Sequence, residues 1–181
     1  MRRALKFVAG AALGIALWWL FTPQYQRVLA LITQPLLHID RRLKAAELVP
    51  QDRAIFITSS TPLPVATIPA DQLTYNIVLL LGLFASNADP LRMKNLRALA
   101  IAAAITFAFQ CLGLLISIES TYALRQGAWS EQHYSDAAGH AWLTAELVFR
   151  TVGMFGVVFA CWWALTNDRA NAARAPRDAN G

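Results

Sequence analysis

ALAIAAAITFAFQCLGLLISI, residues 98–118, decides the fold class: twenty-one residues without a charge, relieved only by Thr106, Gln110, Cys111 and Ser117. At about 1.5 Å per residue such a helix reaches about 31 Å, which matches the hydrocarbon core of a bilayer. Inside lipid only an unbroken helix or a closed barrel satisfies its own backbone polar groups, so the run reads as a membrane-spanning helix. The whole composition agrees. Of 181 residues 56% are hydrophobic and 15% charged, and the mean hydropathy is +0.40, more apolar than a soluble domain.

Working outward, three more apolar runs appear. Residues 4–22 follow Met1, Arg2 and Arg3 and end in Trp18-Trp19-Leu20-Phe21-Thr22-Pro23. Those residues are bulky where a signal peptidase needs small ones, and paired tryptophans suit the membrane interface, so an uncleaved anchor is expected. Residues 73–88 form a short run of about 24 Å, which must borrow residues before Leu73 to cross. Residues 142–165 begin with Trp142 and end in Trp162-Trp163, a span bracketed by aromatics. Four transmembrane helices in an all-α membrane protein are therefore expected. The tail, residues 166–181, is rich in Ala, Asn, Arg, Asp and Pro and is expected to be disordered.

Residues 23–72 make the longest polar segment. Val28, Ile32, Leu36, Ile39 and Leu43 recur at helical spacing opposite Arg27, Asp40, Arg41, Arg42 and Lys44. This predicts an amphipathic helix lying on the membrane surface or extending the first span, kinked at Pro35. Residues 54–58 and 65–68 flank Pro62 and Pro64 and predict a β-hairpin. Lysine and arginine set the orientation. Arg2, Arg3, Lys6, Arg92, Lys94, Arg97, Arg169, Arg174 and Arg177 crowd one side, with the short loop 89–97 at its centre. Arg27, Arg41, Arg42, Lys44, Arg53 and Arg125 are spread more thinly over the other. Both termini are thus expected in the cytoplasm, and residues 23–72 and the loop 119–141 outside. The net charge of +5 is divided among these flanks, so the partner it implies is the lipid bilayer, not nucleic acid.

Few residues suggest chemistry. Glu146 and Arg150, spaced i, i+4 inside the fourth run, predict a mutually neutralising pair, with contact to a partner or substrate as the functional alternative. Asp136 and His140 would share a face if the fourth helix begins early. With Glu131 and His133 they match no zinc signature, so no metal and no cofactor is expected. Cys111 and Cys161 lack a Cys-x-x-Cys spacing and read as small buried residues. A thiol enzyme built from Cys111, His140 and Arg150 is the alternative. Gly10 and Gly14, and Gly153 and Gly156, would let helices approach closely. A transporter subunit is disfavoured by the scarcity of polar residues in the spans and the lack of an inverted repeat.

The layout of four spans with an exterior α-then-β segment, and a second span approached through Ile68-Pro69-Ala70-Asp71-Gln72-Leu73-Thr74-Tyr75-Asn76, resembles the small membrane proteins associated with exosortase H. The resemblance implies a bacterial inner-membrane protein that accompanies an exosortase, a membrane cysteine transpeptidase-like enzyme acting on C-terminal sorting tails of exported proteins. It implies an accessory role and no catalytic residue in this chain.

Overall fold

The computed structural model describes residues 2–172, and the side-chain surroundings of residues 3–166. The protein is mostly helical with one small sheet. Helix α1 covers Arg2–Leu37, followed by strands β1 (Ala46–Gln51), β2 (Ala54–Ser59) and β3 (Ala66–Ile68). The short helices α2 (Asp71–Thr74) and α3 (Asn76–Ala85) follow, then α4 (Met93–Leu124) and α5 (Ala128–His133). A final rod consists of α6 (Asp136–Val148), a π-helical turn (Phe149–Gly153) and α7 (Met154–Ala172). Among the described residues three helices are long and apolar enough to cross a membrane: Arg3–Leu37, Met93–Leu124 and Asp136–Thr166. The second apolar run gives only the shorter helix Asp71–Ala85, about 22 Å long. Four spans are therefore not established by length alone.

No separate surface helix forms, and the other expectation, an extension of the first apolar run, holds. A single helix α1 runs through Pro23 and Pro35 to Leu37. Its apolar stripe is also reversed, since Val28, Ile32, Leu36 and Ile39 are exposed and only Leu43, in the turn beyond the helix, is buried as expected. The face turned inward is Gly10, Gly14, Trp18, Thr22, Gln26, Leu29, Thr33 and Leu37, with Trp18 only half-buried and the others buried. Over residues 10–22 the inward face is mostly small or polar and the outward side apolar, an arrangement compatible with lipid outside, whereas Leu29 and Leu37 further along enter an apolar core.

The expected hairpin is present as β2 and β3, which pair antiparallel with Ile57 opposite Ala66 and Ile55 opposite Ile68. A third strand, β1, joins β2 through the two-residue turn Asp52-Arg53, with Gln51 opposite Ala54. Asp52 takes a φ of 54° there, a left-handed conformation that its short polar side chain tolerates. The other edge of β1 is closed by a side chain. Gln34 donates to the Ala46 carbonyl at 2.6 Å and accepts from the Leu48 amide at 2.7 Å, occupying backbone groups that would otherwise be open to pairing. The buried sheet face (Leu48, Ile55, Ile57, Ala66, Ile68) joins Leu29, Leu37, Leu114 and Ile118 in one core. A second core packs Leu80, Leu83 and Phe84 of α3 against Ala98, Ala102, Val158 and Cys161.

Helix α3 lies antiparallel to α1, with Gly10 against Leu81 and Ala85, Gly14 against Val78, and Trp18 hydrogen-bonded to Thr74 at 3.0 Å. Lys6 donates to the Ala88 carbonyl at 2.6 Å, and Trp162 of α7 donates to Asn87 at 3.4 Å. The start of α1, the 86–92 connection and the end of the fourth apolar run therefore share one end of the molecule. At the opposite end the 119–141 segment is largely helical: α4 continues to Leu124, α5 follows, and Ser135 caps α6 by accepting from the Ala138 amide at 3.3 Å. Helix α7 extends to Ala172, beyond Thr166 where disorder was expected, and residues 173–181 of that tail lie outside the described residues.

Candidate functional site

Three polar side chains inside the bundle bond one another in a chain. Asn76 opens α3, Gln110 lies midway along α4 and Tyr25 sits on α1. Tyr25 donates to Gln110 Oε1, Gln110 Nε2 donates to Asn76 Oδ1 at 2.6 Å, and Asn76 Nδ2 donates to the Met154 carbonyl at 3.3 Å. This chain of three bonds fastens α1, α4, α3 and α7 together, and Asn76 and Gln110 are each about 1% exposed. Buried amides that satisfy each other fix which helices are neighbours. The sequence marked Gln110 only as an interruption of a span. Its link to Tyr25 and Asn76 depends on helix packing and carries no local signal.

Glu146 and Arg150 do pair, at 2.8 Å, with Glu146 buried and about a third of the Arg150 side chain exposed. Arg150 also donates to Gln72 Oε1 at 2.8 Å, which fastens the last rod to α2. Arg150 belongs to the π-helical turn, and the same turn carries Phe149 into the bundle. That ring stacks on Phe109, with centroids 5.3 Å apart and planes 17° apart, and lies over Gly113, where a Cβ would overlap it. A glycine on α4 thus makes room for the aromatic, and the extra residue of the π turn aims Arg150 at Gln72.

At the opposite end a third polar cluster joins parts of the chain distant in sequence. Arg42, in the turn after α1, pairs with Asp40 at 2.5 Å, lies 3.7 Å from Glu119 and stands 4.0 Å over the Tyr134 ring. Tyr134 donates to Glu119 at 2.7 Å. Burial alone would raise the Asp40 carboxyl, but the bonds and charge of Arg42 outweigh it and hold Asp40 below its ordinary value. Burial, and then the Glu119 carboxylate, push the Tyr134 hydroxyl well above its ordinary range. The sequence pointed to none of these four as a group, because the contacts bridge about 90 residues. Their work is structural: they clamp the start of the α+β segment onto α4 and the α5–α6 corner. Tyr122 adds a second clamp by donating to the Pro64 carbonyl at 2.7 Å.

The remaining sequence candidates are placed as follows. Asp136 and His140 share the exposed first turn of α6, and the His140 ring bonds the Asp136 carbonyl at 2.7 Å, not its carboxylate. With Glu131 and Tyr134 they border an open cavity of about 190 Å³. Among the described residues no group of three or more His, Cys, Asp or Glu side chains is gathered as a metal site requires. Cys111 and Cys161 are free and buried. Cys111, His140 and Arg150 each bond or pack elsewhere: the thiol in the core beside Leu114, the imidazole on its own helix, the guanidinium on Glu146 and Gln72. Gly10 and Gly14 serve packing within the chain, and Gly153 faces Phe109 at 3.4 Å. Gly156 packs against nothing within the chain, since a Cβ there would meet no atom within 4 Å. No protein-family model, curated protein or solved structure matches this chain.

Proposed function

We propose that the protein is a noncatalytic accessory subunit of the bacterial inner membrane that crosses the bilayer four times, with both termini cytoplasmic, and docks onto a membrane enzyme through its exterior α+β segment. The observation that carries this reading is the double clamp on that segment. Arg42 with Glu119 and Tyr134, and Tyr122 with Pro64, fasten it to the helices while Ile39, Val49 and Val65 remain exposed upon it. A fastened platform with exposed apolar side chains suits protein recognition, since binding then costs little ordering entropy. The four-crossing topology is supported by α3 lying antiparallel along α1 and by Lys6 meeting the Ala88 carbonyl, which keep the basic 89–97 loop beside the basic N-terminus.

The enzyme served is of exosortase type in this proposal, on the layout resemblance, with Glu146, Arg150, Asp136 and His140 as candidate contacts. The test is co-purification of the tagged full chain from mild detergent with the exosortase of the same cell, before and after Ile39→Glu and Val65→Glu. Retention of the enzyme by the wild type and its loss from the double variant is the expected result. A chain that runs alone while sorting of exported proteins proceeds unchanged in its absence overturns the reading.

A further inference from the structure

On the outer surface of the helix pair α1 and α2–α3 lies a crevice of about 300 Å³, lined by Leu17, Trp18, Phe21 and Tyr25 on one side and Ile77 and Leu81 on the other. It runs from Leu17 and Leu81 toward Tyr25 and Thr74, following the antiparallel contact of the two helices. Its lips, Leu17 and Phe21, are exposed, so it opens sideways, where the membrane reading puts lipid tails. The size is at the small end of ligand pockets, and the lining offers a flexible chain an apolar trough.

A charge stands behind Trp18, one of the residues lining this trough. Arg53, at the β1–β2 turn, places its guanidinium 3.8 Å from the centre of the Trp19 ring and 5.7 Å from that of Trp18, which itself lines the crevice. Among the described residues no carboxylate pairs with Arg53. The nearby Asp71 side chain is turned to the Gln72 amide, which it caps at 2.9 Å. An unpaired guanidinium held over the Trp19 indole suits a phosphate, since the ring positions its donors. We infer that the crevice binds an anionic phospholipid, one acyl chain lying between α1 and α3 and the phosphate against Arg53. This requires only that the helices lie in a bilayer; the accessory role can fail and the lipid site still stand.

The test uses the full chain reconstituted in equal parts of phosphatidylglycerol and phosphatidylcholine, gently stripped and weighed by native mass spectrometry. One retained phosphatidylglycerol per chain is expected. Arg53→Gln should lower its preference over phosphatidylcholine about fivefold, the effect of one cation near an anionic headgroup. Ile77→Trp, which fills the crevice, should remove the retained lipid of either kind. Because that variant can misfold, a second measurement uses the unaltered chain and phosphatidylglycerol with a photoreactive acyl chain. Adducts concentrated on residues 17–25 and 74–81 support the site. Adducts spread over all lipid-facing helices, or a preference that Arg53→Gln leaves unchanged, overturn it.

Discussion

Replacing Gly113 by Ala tests the packing that carries the last rod. A Cβ at this position would overlap Cε1 and Cζ of Phe149 and lie 3.1 Å from its Cδ1. The ring cannot yield locally, because it is 6% exposed and stacked on Phe109. Overpacking of this kind costs about 1–3 kcal/mol, and loss of the aromatic stack about 0.5–1.5 kcal/mol more. Gly113→Ala should therefore destabilise the protein by about 2–4 kcal/mol in a reversible unfolding titration in bicelles. The control is Gly156→Ala, where the added Cβ meets nothing and the change should stay within about 0.5 kcal/mol. Trimming the ring in Gly113→Ala/Phe149→Leu should restore part of the loss. If Gly113→Ala behaves like Gly156→Ala, or the double substitution is no better than the single one, the π turn is not seated on Gly113 as described.

Three further outcomes follow from the polar clusters. Glu146→Gln leaves Arg150 with Gln72 but no counter-charge and should cost about 1–3 kcal/mol, whereas Glu146→Met/Arg150→Met should unfold closer to the wild type; equal losses for the two would contradict an internal pair. The folded value of Asp40 lies below its ordinary 3.8, so its contribution is present above that value and fades as the pH falls through the lower folded one. Amide exchange at Leu43 and Ala46 should accelerate on acidification below about pH 4, and Asp40→Asn should abolish that acid step by removing the titrating group. Tyr122→Phe removes the hydroxyl bonded to Pro64, at a cost of about 1 kcal/mol, and should raise exchange in residues 63–68 while leaving α4 protected.

How far the sequence disclosed this structure follows from the range of the forces involved. The span at 98–118 was legible because length alone decides it, and the Glu146–Arg150 pair because i, i+4 neighbours meet on any helix. Strands β2 and β3 were legible from apolar runs on either side of a proline turn. Strand β1 was not, since Ala46–Gln51 contains Glu47 and Pro50, and its order comes from Gln34 and β2 rather than from propensity. The inward face of α1 was misread for a physical reason. The period marked Val28 and Ile32 as the buried stripe, but the sheet and α4 pack on the other face, where Leu29 and Leu37 enter the core beside Gln26 and Thr33. The networks around Gln110 and Arg42 depend on which helices adjoin, and that is written only in the assembled bundle.

The shortness of the α2–α3 segment, Asp71–Ala85, bears on how the chain is made. A segment reaching about 22 Å is a weak signal for independent insertion, yet it carries Val78, Leu81 and Ala85 against a strip of glycine on α1 and is anchored by Lys6 at one end and Trp18 at the other. In the proposed four-crossing topology its passage into the membrane belongs to a helical hairpin in which α1 is the guide. Enlarging Gly10 or Gly14 would show first as a chain whose Asp71–Ala85 segment stays on the wrong side of the bilayer, a fault of biogenesis arising before any folded protein exists to be destabilised.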